Sequence, residues 1–200
     1  MAVLSEGEPE RVQASGLAFI GYRGAGKSAV GRRLSSIAGR RFFDIDVEIE
    51  RRLGRKIPSI FASEGEAAFR DHEESTLRDV LEAVPDAVVA TGGGAVLRAT
   101  NRLMLRRFGL VVWLDAPVEL LGQRLAADPS GRPALTSQGL VQEVATVLEF
   151  RRPLYQETAD LVIQVAGKRV EEVAREVLQA WTDWARRPES AQRLEPPHER

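Results

Sequence analysis

The stretch Leu17-Ala18-Phe19-Ile20-Gly21-Tyr22-Arg23-Gly24-Ala25-Gly26-Lys27-Ser28 decides the fold. Four apolar residues read as a buried strand, and the eight that follow match G-x-x-x-x-G-K-[ST] in full. Past Ser28 the pattern becomes helical to Ala38, with Gly39 placed to cap it. Strand, glycine-rich turn and helix are the context this motif needs. The glycines let successive backbone N–H groups turn inward around phosphate oxygens, and the helix N-terminus adds a favourable dipole. Lys27 is expected as an exposed ammonium that spans the β- and γ-phosphates, and Ser28 as a hydroxyl ligand to Mg²⁺. This is a nucleotide site.

Working outward, short apolar runs alternate with longer helical patterns. Phe42-Phe43, Ala87 to Ala90, Leu110 to Leu114 and Leu161 to Val165 read as four more strands. Between them a long amphipathic segment carries Phe69, Thr76, Leu77, Val80, Leu81 and Val84 on one stripe, and Pro85-Asp86 breaks it. The last helix is expected to turn Val170, Val173, Val177 and Trp181 inward. Continuously apolar strands separated by helices imply a parallel sheet covered on both faces. The fold class is α/β.

Composition limits what this fold does. The chain has 200 residues and no cysteine, which excludes thiolate metal sites, a Cys nucleophile and a disulfide framework. Its two histidines, His72 and His198, are too few for a zinc centre. Lys+Arg 28 against Asp+Glu 29 leaves no basic field that argues for nucleic acid. No apolar run approaches the ~20 residues of a membrane span. Met1 to Ser15 has no basic segment followed by an apolar one, so a cytoplasmic location is expected. Residues 1–15 and 186–200 are rich in charge and Pro and read as disordered tails around one domain, residues 16–185.

Three further features bear on chemistry. Asp44 and Asp46, in Phe43-Asp44-Ile45-Asp46, stand at the end of the second strand. In an extended segment positions i and i+2 point the same way, so both carboxylates would face one cleft. A competing reading takes an N-cap Asp followed by a solvated helix, Val47 to Leu53. Thr91-Gly92-Gly93-Gly94-Ala95 follows the third strand, where open α/β sheets bind ligands and where glycines permit close approach. Arg70, Arg132 and Arg151 are isolated arginines of the kind that clamps carboxylates and phosphates.

The combination of phosphate loop, D-x-D, Phe69-Arg70 with Glu73-Glu74, triple glycine, Arg132-Pro133 and Arg151-x-x-x-Tyr155, in this order, resembles the shikimate kinases. The resemblance runs from about Leu17 to Val165. It implies a P-loop kinase fold of five parallel strands sandwiched by helices, with a mobile lid at about residues 127–137. It implies ATP-dependent phosphorylation of the 3-hydroxyl of shikimate, with Mg²⁺, in a monomer. On this resemblance Gly24, Ala25, Gly26, Lys27, Ser28 and Ala29 hold the ATP phosphates, and Arg124 lies over the adenine. Counting from Arg151 puts the far side of the base near Lys168. Asp44 supports Mg²⁺ through water beside Ser28. Asp46 contacts the acceptor hydroxyls, Arg70 and Arg151 clamp the carboxylate, and Gly92, Gly93 and Gly94 bring backbone to the substrate. Lys27, Asp46 and Arg132 form the catalytic set. A gluconate-type kinase of the same fold and a non-catalytic nucleotide-binding module are the two alternatives.

Overall fold

A computed structural model describes residues 16–127 and 139–187. Five strands form one all-parallel sheet in the order β2-β3-β1-β4-β5. They are β1 (Gly16–Ile20), β2 (Phe42–Asp44), β3 (Val88–Ala90), β4 (Gly109–Asp115) and β5 (Leu161–Gln164). β1 lies at the centre, with Leu17 paired to Val88 on one side and to Leu110 on the other. The strands expected to be continuously apolar are buried throughout in β1, β3 and β4. The edge strands β2 and β5 are only part-covered, as an edge allows.

The helices are α1 (Lys27–Ala38), α2 (Ile45–Leu53), α3 (Ile57–Ala83), α4 (Ala99–Phe108), α5 (Val118–Ala126), α6 (Leu140–Thr158) and α7 (Val170–Ala185). α1 and α7 pack on each other and against the sheet, while α4 packs on β1 and β4 and touches α3 and α6. α1 buries Val30 and Leu34, one turn apart, and ends where Gly39 takes a left-handed conformation. Its Gly31 lies so close to Phe42 of β2 that a Cβ would overlap the ring, which draws α1 tight onto the sheet edge.

Two expectations need correction. Val170 is 36% exposed rather than inward, because it sits on the first turn of α7 and the buried stripe begins at Val173 and runs through Val177, Trp181 and Trp184. Asp46 does not lie in an extended segment. β2 ends at Asp44, whose backbone is extended, and the helix begins at Ile45, so the strand argument for paired carboxylates fails. The N-cap is Asp44, and the helix begins two residues earlier than the competing reading put it. The N-terminal tail, the lid segment 128–138 with Arg132, and the C-terminal tail from 188 on lie outside the described residues.

Candidate active site

All the candidate loops leave the carboxyl ends of parallel strands, so topology alone gathers them: the phosphate loop after β1, Asp44 after β2, the glycine run after β3. Gly24 (φ 80°) and Gly26 (φ 97°) adopt left-handed backbone that strains any other residue, and α1 starts directly at Lys27. Lys27 is not the exposed charge expected from sequence. It is 8% exposed, and its Nζ donates to the carbonyls of Gly21 at 2.8 Å and Tyr22 at 2.9 Å. The amine folds across the loop it belongs to. Burial pulls its pKa down to about 8, against the opposing pull of Asp46 and Asp44.

Ser28 and Ala29 stand in the first turn of α1, and the Ser28 hydroxyl donates to Asp44 Oδ2 at 2.5 Å. The other Asp44 oxygen faces the N–H of Val47 at 3.4 Å, a long cap at the start of α2. Asp46, in the first turn of α2, lines the cleft nevertheless. The helix start, rather than strand alternation, aims it there. A Cβ on Gly92 would lie 2.9 Å from Asp46 Oδ1, so the glycine is what admits this carboxylate against the strand end.

Arg70 comes from α3 and is held on three sides. Its Nη1 donates to Glu73 at 2.6 Å, its Nη2 to Glu66 at 3.2 Å, and its guanidinium lies 5.1 Å from the centre of the Phe69 ring. Gly94 abuts the same guanidinium so closely that a side chain there would displace it. Glu73 is fully buried, and its Oε1 has no hydrogen-bond partner among the described residues. Burial pushes its pKa up, opposed by Arg70. Sequence reasoning quoted Glu73 in a motif but gave it no role. Its signal was available: a carboxylate on the apolar stripe of Phe69, Thr76 and Leu77 is rarely buried unless paired.

From the opposite wall, Arg151 on α6 donates to the Gly93 carbonyl at 3.1 Å and lies 5.9 Å from the centre of the Tyr22 ring. Tyr155, one turn on, donates to the same carbonyl at 2.6 Å and stacks on Trp113. Burial raises the Tyr155 pKa to about 12, so it stays a hydrogen-bond donor. Arg23, inside the phosphate loop, pairs with the buried Glu143 of α6 at 3.7 Å; nothing in the loop motif predicts that contact. Arg124 on α5 donates to the Gly24 carbonyl at 2.9 Å, which seats it on the phosphate loop.

These parts enclose a cleft of about 740 Å³, lined among others by Gly24, Asp46, Arg70, Gly93, Arg124 and Arg151. Lys168 is not among its walls: it lies in the turn after β5, with its ammonium on Glu176 at 2.6 Å. The donor set suits Mg²⁺. A serine hydroxyl and a carboxylate stand together at a helix N-terminus, and Mg²⁺ is ordinarily held by one or two carboxylates plus phosphates and water. Among the described residues no cluster of three or more His, Cys, Asp or Glu offers a self-sufficient metal cage.

Comparison with known proteins establishes the family. A family model described as shikimate kinase matches residues 23–182. The chain is 40% identical over 174 residues to a shikimate kinase of Rhodopirellula baltica, covering 86% of this chain and 92% of that protein. It is 47% identical over 148 residues to one from Nitratidesulfovibrio vulgaris, covering 73% and 84%. A solved shikimate kinase of Acinetobacter baumannii, in complex with shikimate, superposes with a TM-score of 0.80 at 38% identity, covering 86% of this chain and 94% of that one. A gluconokinase from Sinorhizobium meliloti shares the fold at a TM-score of 0.58 and 21% identity. With the phosphate loop, the two arginines around the glycine run and these similarities together, the chain belongs to the shikimate kinase family.

Proposed function

We propose that the cleft binds ATP along the phosphate loop and shikimate between α2, α3 and α6, and that it transfers the γ-phosphoryl group to the 3-hydroxyl. The observation that carries this reading is the convergence of Arg70 and Arg151 on one glycine run. Arg70 packs against Gly94 and Arg151 donates to Gly93, from opposite walls of a cleft that also contains Asp46. Shikimate is a triol with one carboxylate. Two guanidinium groups suit its carboxylate, and a single carboxylate suits adjacent hydroxyls. Gluconate also carries a carboxylate, but its open polyol chain offers no rigid ring to hold that carboxylate and a hydroxyl at fixed separation.

In the reaction the acceptor oxygen bonds to the γ-phosphorus, the bond from that phosphorus to the β–γ bridging oxygen breaks, and ADP leaves with the electron pair. The hydroxyl proton is given up along its hydrogen bond to Asp46 and released to solvent. Asp46 accepts the hydrogen bond of the attacking hydroxyl and orients its lone pair. Lys27 swings from the Gly21 and Tyr22 carbonyls to the phosphate oxygens, and the loop N–H groups hold them in line. Such positioning and charge neutralisation are most of what phosphoryl transfer asks of a protein. Ser28 and Asp44 would hold Mg²⁺, which neutralises charge on the β- and γ-phosphates when bound. Arg132 is assigned to close over the transferring group, Arg124 to the adenine face, and Gly92 and Gly93 to the substrate. A monomer acting in the cytoplasm completes the reading. The test is ADP release with ATP and Mg²⁺, with and without shikimate and with gluconate in its place. Shikimate-dependent release supports the assignment; release only with gluconate, or none with either, overturns it.

A further inference from the structure

The helix α3 is two arms. At Gly65 the backbone leaves helical geometry (φ 81°, ψ 177°), which a residue with a side chain rarely adopts. Residues 57–64 form one arm and carry Ile57 and Pro58, which line the cleft; the second arm carries Phe69, Arg70 and Glu73. The angle at Gly65 therefore sets how far one cleft wall stands from the arginine of the other.

A polar contact and a ring contact span this break. His72 on the second arm donates from Nε2 to Glu64 Oε2 of the first at 3.0 Å. A carboxylate only accepts, so this ring nitrogen carries the proton. The other Glu64 oxygen is taken by Arg55, which also bonds Ser63 and reaches the Ser59 carbonyl, so the first arm is braced at its own start. His72 and then Arg55 hold the Glu64 carboxyl below its usual range. Beside the pair, the Phe61 and Phe69 rings meet across the break with centroids 4.5 Å apart. The two polar side chains are each about one-third exposed, so their pairing is not needed to fill the core.

We propose that Glu64 and His72 are positioning residues, a clasp across the Gly65 break that fixes the Ile57–Pro58 wall against Arg70 and so sets the affinity for the acceptor. This rests on the reading of the cleft as the shikimate site. Neither residue touches the reacting atoms, so acceptor binding should move and the nucleotide side should not.

The experiment compares full-length wild type, His72→Ala and His72→Gln in steady-state turnover and in hydrogen exchange of residues 57–64. His72→Ala is expected to raise the KM for shikimate about three- to tenfold, with kcat and the KM for ATP within about twofold, the size a part-exposed charged hydrogen bond supports. Amides of the first arm should exchange faster. His72→Gln keeps a donor near the Nε2 position and should restore both. An unchanged shikimate KM in His72→Ala, a parallel change in all constants, or no rescue by Gln overturns the clasp. Were wild type itself inactive with shikimate, the functional reading would fail, and the exchange data alone would decide whether the clasp exists.

Discussion

Tyr155 places its hydroxyl 2.6 Å from the carbonyl of Gly93, sixty-two positions away in sequence, and Arg151 donates to the same oxygen. One carbonyl thus fixes the glycine run and the substrate-side face of α6 relative to each other. Tyr155→Phe removes one of the two donors and leaves the ring stack on Trp113 intact. The expected loss is about 1 kcal/mol of stability, read from denaturant unfolding, with a severalfold higher KM for shikimate and an unchanged KM for ATP.

Glu73 is buried against Arg70 and is that guanidinium's shortest polar contact, at 2.6 Å. Glu73→Ala should destabilise the fold by about 1–3 kcal/mol, because it strips a mostly buried arginine of its closer charged partner and leaves it only the exposed Glu66. Glu73→Gln keeps the volume and one acceptor, so it should recover much of the stability but not the shikimate KM. Thermal unfolding beside steady-state kinetics separates these two effects.

Lys27 makes a pH prediction. Its folded pKa of about 8 lies below the ordinary 10.5, so between those values the unfolded chain binds a proton that the folded chain does not. Stability from this group therefore rises as pH is raised through that window. Phosphate favours the ammonium form, so ATP binding near pH 8.5 should take up a fraction of a proton. Calorimetry in two buffers of different ionisation enthalpy measures this uptake. Lys27→Met should abolish it and, with it, most turnover.

How far the sequence carried the reading depended on how local each signal was. The phosphate loop and α1 were legible to the residue, because a glycine-rich turn leaves little choice of conformation. The parallel sheet followed from unbroken apolar runs in β1, β3 and β4. Asp46 was assigned to the cleft for a reason that failed: the change from strand to helix at Ile45 is set by capping, which alternation does not register. Lys27 was misjudged because its burial comes from the loop folding over its own stem. The Arg23–Glu143 pair and the Tyr155–Gly93 bond join distant segments, and no periodicity reports such contacts. Val170 was misplaced because a period gives a helix's face but not where that face begins to be covered.

Asp44 and Asp46 should separate in a Mg²⁺ titration at saturating ATP and shikimate. Asp44 accepts from Ser28 at 2.5 Å, the pair proposed to hold Mg²⁺, so raising Mg²⁺ should partly rescue Asp44→Asn. Asp46→Asn should lose about 10²–10⁴ in kcat with little loss of ATP affinity, and magnesium should not restore it. Rescue of Asp46→Asn with none of Asp44→Asn would exchange the two roles.

The proposed cleft directs the γ-phosphoryl group to one hydroxyl of shikimate. Phosphorus–proton correlation NMR of the product formed from ATP and shikimate identifies that hydroxyl. A single phosphomonoester is expected, its phosphorus coupled to the proton on carbon 3. Inorganic phosphate alone, or a mixture of esters on the other ring hydroxyls, would contradict it.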